Sequence, residues 1–122
     1  MKKIIIVEDD PDTLDLMEII LRENNYIVIK VSREISVKEI VSIKPDLLII
    51  DFLLPFGLGT DLCMSVKSDH RTQEVPVIIY SASNDIGVLA KNSGADAYLP
   101  KPFDIVDLLH MVNETIQKTY AH

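Results

Sequence analysis

Residues 3–12 read KIIIVEDDPD, a continuous apolar run that meets three acids and then a proline. A run with no polar alternation suits a parallel strand covered on both faces, whereas a half-solvated strand would alternate. Asp10 is placed to cap a helix and Pro11 to occupy its first turn, so the strand passes almost directly into a helix. That leaves Glu8 and Asp9 at the strand's end. Like charges beside a hydrophobic core repel one another and resist desolvation, so the cluster is either well solvated or gathered for a purpose.

The pattern recurs along the chain. Further short aliphatic runs lie at 26–31 (YIVIKV), 46–50 (DLLII), 75–80 (VPVIIY) and 96–99 (DAYL). Between them, residues 11–24 place Leu14, Met17, Ile20 and Leu21 on one helical face, and residues 34–43 carry Ile40 and Ile43 with a capping box from Ser36 to Glu39. Further helices are expected at 60–68 and 84–93, the latter stopped by Gly94. A fifth, capped by Asp104 and running to about residue 118, sends Ile105, Leu108, Leu109 and Val112 toward the core. Parallel strands need crossover connections, so five strands alternating with five helices predict an α/β fold: a doubly wound parallel sheet between helix layers.

Size and charge bound the rest. A chain of 122 residues suits one domain, 1–122, with a core of its own. Twelve Lys and Arg against nineteen Asp and Glu give a net charge of −7, which lacks the basic footprint of direct nucleic-acid binding and disfavours an anionic membrane surface. Any effect on DNA would need a partner. The one cysteine, Cys63, cannot form an internal disulfide and reads as a small packed side chain, so a reduced, cytoplasmic setting is the default. The run in MKKIIIV is broken by Glu8 before it reaches signal-peptide length, and no stretch is long enough to span a bilayer. His70, His110 and His122 share no metal-ligand spacing.

Open sheets of this kind bind ligands beyond the carboxyl ends of their strands. There the sequence puts Glu8 and Asp9 from strand one, Asp51 from strand three, Tyr80 and Ser81 from strand four, and Lys101 between Pro100 and Pro102 after strand five. Carboxylate oxygens are hard ligands suited to magnesium or calcium, and a carboxylate is also a competent nucleophile toward phosphorus. Phosphoryl transfer needs its charge neutralised, which a metal, a lysine and a hydroxyl supply. Taken singly, each residue has a blander reading: Asp10 as a cap only, Ser81 as a turn residue, Tyr98 as a core aromatic, Lys101 as a surface charge.

Four segments in register, IIIVEDDPD, PDLLIIDFLLPFGLG, VIIYSAS and GADAYLPKPF, resemble the successive motifs of the receiver domain of two-component response regulators, over essentially the whole chain. The resemblance implies the flavodoxin-like (β/α)5 fold with strand order 2-1-3-4-5. It implies Asp51 as phosphoacceptor for a sensor histidine kinase or histidine phosphotransfer protein. Mg2+ would be held directly by Asp9 and Asp51, by Glu8 through water, and by the main-chain carbonyl of Leu53. Lys101 would pair with phosphoryl oxygens, its bond to Pro102 being cis. The Ser81 hydroxyl would bond the phosphoryl group, with Tyr98 turning inward as it moves. The altered face, made of the fourth helix, the fifth strand of the sheet and the fifth helix, would address a downstream effector or a fused output domain and is open to phosphorylation-dependent homodimerisation. The resemblance makes the chain a switch rather than an enzyme, catalysing only its own phosphorylation and slow dephosphorylation.

The chain departs from the family pattern at Glu8, where Asp is commoner, at Leu54, where Met usually precedes the proline, and at Leu53, apolar where many relatives are polar. The alternatives fare worse. A haloacid dehalogenase phosphatase wants a second Asp two residues after the nucleophile, where Leu53 stands. A flavodoxin-like phosphate cradle would be repelled by EDDP, and no Walker lysine motif exists. A receiver-like scaffold that works without phosphorylation remains the minor alternative.

Overall fold

The isoleucine-rich runs of the chain condense into one sheet whose three central strands bury both of their faces. In the computed structural model, which describes residues 1–120, the elements follow in the order β1 (Lys3–Val7), α1 (Pro11–Glu23), β2 (Ile27–Val31), α2 (Val37–Ile43), β3 (Leu47–Asp51), β4 (Leu53–Leu54), β5 (Gly57–Leu58), α3 (Gly59–Ser68), β6 (Val77–Ser81), α4 (Ile86–Ser93), β7 (Ala97–Pro100) and α5 (Ile105–Tyr120). The main sheet is parallel, with order β2-β1-β3-β6-β7, the doubly wound flavodoxin-like arrangement expected from the sequence. His122 lies outside the described residues.

Successive strand residues point to opposite faces, so each run feeds two cores. Ile4, Ile6, Leu47, Ile49, Ile78 and Tyr80 pack with α1 and α5 through Leu14, Met17, Leu21, Leu108 and Val112. Ile5, Val7, Leu48, Ile50, Val77 and Ile79 pack on the other face with Ile40, Cys63, Val66, Ile86 and Ala90. Each such side chain contributes about 1.5–3 kcal/mol by leaving water. This two-sided burial is why the strands lack alternation.

The helix ends follow their caps. The Asp10 carboxylate accepts from Thr13 N–H at 3.0 Å, Ser36 and Glu39 form a reciprocal capping box, and Asp104 accepts from Asp107 N–H at 2.8 Å. Gly94 closes α4 in the left-handed region at φ 85°. The expected start of the second helix at residue 34 moves to Val37, because Ser36 takes the extended conformation of a cap. Ile105 does not reach the core: it is exposed in the first turn of α5, where Leu108 and Val112 hold the buried face. One element has no counterpart in the sequence reading. The loop after Asp51 folds into a small antiparallel hairpin, pairing Leu53 with Leu58 and Leu54 with Gly57.

Candidate functional site

Register brings the site together. The pairing of β1 with β3 ends at Val7 opposite Ile50, so the next step sets Glu8 beside Asp51, and Asp51 in turn is paired with Tyr80 on β6. The three side chains share one face of the sheet, above the α1 and α5 core, in a row across three neighbouring strands. β7 then ends at Pro100, and Lys101 follows it onto the same edge.

Glu8, Asp9 and Asp51 each offer an oxygen, all within 4.8 Å of one another. Lys101 Nζ donates to Asp51 Oδ1 at 3.1 Å, lies 3.9 Å from Glu8 Oε1, and sits 4.6 Å from the centre of the Tyr80 ring. Three acids thus face one ammonium. Asp9 is exposed, Asp51 is 7% exposed and Glu8 only 1%. Burial pushes the Glu8 carboxyl up to about 8, helped by the adjoining Asp51 carboxylate as hydrogen-bond partner and like charge, with Lys101 pulling the other way. Burial, then the charges of Glu8 and Asp51, also pushes the Tyr80 hydroxyl up, so it keeps its proton.

The acidic set fits a hard divalent cation: its donors are all oxygen, its charge exceeds what Lys101 neutralises, and Glu8 Oε2 is enclosed without a hydrogen-bond partner. Asp51 meets Lys101 through Oδ1, and a carboxylate is chemically competent as a nucleophile toward phosphorus.

The remaining expected residues stand at the margin of this cluster. Ser81 is buried, and its Oγ accepts from Ser83 N–H at 3.0 Å. Tyr98 points outward from β7, 45% exposed, with its ring over Gly87 of α4, where a Cβ would approach the Tyr98 ring to 3.3 Å. Leu53 is exposed at the start of β4. The Lys101–Pro102 peptide is cis.

Two residues had no role in the sequence reading. A Cβ on Gly59 would fall 2.1 Å from the Asp51 carbonyl oxygen, so only glycine lets α3 begin directly against the end of β3, where Gly59 N–H donates to Phe52 O at 2.7 Å. The FGLG spacing after Asp51 carried that signal. Tyr80 was noted only as a strand-end residue; nothing in VIIYS reveals that its hydroxyl is enclosed beside two acids.

Comparison with known proteins agrees with this geometry. The response regulator receiver domain family matches residues 4–113. The DNA-binding dual master transcriptional regulator RpaA of Synechocystis sp. is 34% identical over 122 residues, covering 98% of this chain and 51% of the relative. Among solved structures, a CheY-like response regulator receiver domain protein from Methanospirillum hungatei JF-1 is 28% identical with a TM-score of 0.83, covering 99% and 98% of the two chains. The signal receiver domain of a histidine kinase from Syntrophus aciditrophicus is 29% identical with a TM-score of 0.81, covering 97% and 92%. The chain spans about half the length of the curated relatives it matches. Sheet order, acidic edge and family match converge, and the chain belongs to the response regulator receiver domains of two-component signalling.

Proposed function

We propose that this chain is a phosphorylation-operated switch in which Asp51 accepts a phosphoryl group from a sensor histidine kinase or a histidine phosphotransfer protein. The observation that carries the reading is the 3.1 Å contact of Lys101 with Asp51 Oδ1 beside two further carboxylates at the end of the sheet. An Asp51 oxygen attacks phosphorus, the bond to the donor's nitrogen breaks, and that nitrogen keeps the electron pair. Lys101 then turns from the carboxylate to the new phosphoryl oxygens, which carry more charge and lie further out. Glu8, Asp9, Asp51 and the Leu53 carbonyl would hold Mg2+, which supplies neutralisation of phosphoryl charge.

The readout runs through Ser81 and Tyr98. In the present conformation the Ser81 hydroxyl is engaged by its own turn and Tyr98 lies outward over α4. Drawing Ser81 toward a phosphoryl group frees that turn and lets Tyr98 fold inward, reshaping the face of α4, β7 and α5. That face addresses a fused output domain, a separate effector, or a second copy of the chain. Residues 1–122 act as one domain, in the cytoplasm; no helix among the described residues is long and apolar enough to cross a membrane.

Incubation with magnesium chloride and acetyl phosphate, followed by intact mass, tests the reading. The wild type gains one phosphoryl group and Asp51→Asn gains none. Absence of the adduct, or its survival in Asp51→Asn, overturns the assignment.

A further inference from the structure

Tyr80 interrupts an aliphatic strand at a position where phenylalanine would pack as well. Its ring is fully enclosed, stands edge-on to Phe103 at 6.0 Å between centroids, and carries Lys101 above its face. Neither contact uses the hydroxyl. Buried tyrosine hydroxyls ordinarily find a partner, and leaving one unmet costs about 1–3 kcal/mol. Among the described residues, the enclosed side-chain polar atoms without a hydrogen-bond partner are the Tyr80 hydroxyl and Glu8 Oε2.

These two orphans are neighbours by construction. Glu8, Asp51 and Tyr80 occupy one row on one face of the sheet, and Lys101 Nζ lies against both ends of it, 3.9 Å from Glu8 Oε1 and 4.6 Å from the centre of the Tyr80 ring. Glu8 is also the first neighbouring group to act on the hydroxyl once burial is counted. The two Glu8 oxygens are therefore in different surroundings: Oε1 faces Lys101 at 3.9 Å, and Oε2 is sealed in protein. A carboxylate that holds a cation is ionised and only accepts hydrogen bonds, so in that state the phenol is the donor.

We propose that Tyr80 is a positioning residue of the acidic site: in the cation-bound state its hydroxyl donates to the sealed oxygen of Glu8 and so fixes which oxygen that carboxylate turns toward the cation. The proposal rests on the reading of Glu8, Asp9 and Asp51 as a divalent-cation site and extends it by one residue outward. It also gives the longer Glu8 side chain a reason to be held: a glutamate has one more rotatable bond than an aspartate, and a fixed donor at its back removes that freedom. Outer partners of metal-binding carboxylates act in this way, and their loss weakens binding by about tenfold or more.

The test is calorimetric titration of the full chain with magnesium chloride, comparing wild type, Tyr80→Phe, Glu8→Gln and the double variant. Tyr80→Phe keeps the packed ring and removes only the hydroxyl. Its Mg2+ affinity should fall by about tenfold, while in the Glu8→Gln background the same change should matter by less than about twofold. In the wild type, the Tyr80 hydroxyl proton should be visible by NMR in slow exchange and should shift on addition of Mg2+. An affinity unchanged by Tyr80→Phe, an equal loss with and without Glu8, or a hydroxyl resonance indifferent to Mg2+ overturns the proposal. Should Tyr80→Phe fail to fold, the resonance decides alone. Failure of the wild type itself to bind Mg2+ would instead remove the cation site, a result distinguishable from the loss of the tyrosine's role alone.

Discussion

At the edge of the sheet where the strands begin, Asp46 and Asp96 each stand one residue before a strand and clasp the strand beside it. Asp46 accepts from Lys3 N–H at 2.7 Å and returns its own N–H to Lys3 O at 2.7 Å; Asp96 accepts from Val77 N–H at 2.8 Å and returns its N–H to Val77 O at 2.9 Å. Lys67 adds an ion pair to Asp96 at 2.8 Å and donates to Val75 O at 2.7 Å, and Lys3 Nζ donates to Ile43 O at 2.8 Å. At the opposite edge, Glu8, Asp9 and Asp51 crowd together around Lys101, and Glu8 Oε2 has no partner. The same residue types serve two ends. Where carboxylates are satisfied by backbone and lysine they hold strands in register; where they are left in excess they form a set that a divalent cation could fill.

Exchanging one acid at each edge gives the largest contrast. Asp96→Ala should keep the phosphoryl adduct that Asp51→Asn loses, yet lower stability by about 2 kcal/mol, because the buried Val77 N–H is left without its acceptor. Asp51→Asn should move the other way in a chelating buffer, raising stability by about 1 kcal/mol as repulsion at the site is relieved. Urea midpoints read both. A stabilising Asp96→Ala, or an Asp51→Asn less stable than wild type, would break the division between the edges.

A pH series without metal probes the same excess charge. Glu8 is raised from 4.5 to about 8 in the folded chain, so between those values the folded state holds a proton that the unfolded state has released. Stability should therefore fall as pH rises through that window and level off above it. Glu8→Gln should remove that component, and Mg2+ should oppose it by favouring the ionised form. The difference in urea midpoint between wild type and Glu8→Gln, followed across the window in chelator and then in Mg2+, checks it; a flat difference would place the Glu8 carboxyl in ordinary solvation.

These outcomes bear on what the sequence could say. Strand-end acids, the Asp51 position and the lysine between two prolines were legible because parallel topology forces strand ends together, and topology follows from hydrophobic runs. The hairpin at Leu53–Leu58 was not, since LLPFGL offers too few residues for any period to register. Ile105 misled because one turn of helix sets which apolar residue faces in, and Asp104 as cap starts that turn one step from the core face. The near-complete burial of Glu8 and the isolation of the Tyr80 hydroxyl depend on three strands meeting in one register, information that no single segment contains.

The smallest expected effect concerns Leu53, two residues beyond Asp51 and 65% exposed at the start of β4. Its backbone is set by pairing with Leu58, so an asparagine there leaves the hairpin in place, and an exposed position of this kind costs little stability to change. The consequence is kinetic. A leucine at the mouth of the site offers an attacking water no hydrogen bond, whereas an asparagine can hold that water toward phosphorus. With one net hydrogen bond worth about 1 kcal/mol, Leu53→Asn should speed spontaneous loss of the phosphoryl group by about fivefold. Ile27→Asn, an exposed apolar residue at the edge where strands begin, should leave the decay unaltered. Decay of the adduct followed by intact mass after removal of donor separates the cases: an unchanged or slower decay in Leu53→Asn would show that water reaches the acyl phosphate without help from that side chain, and the contrast between the edges would then lie in charge alone.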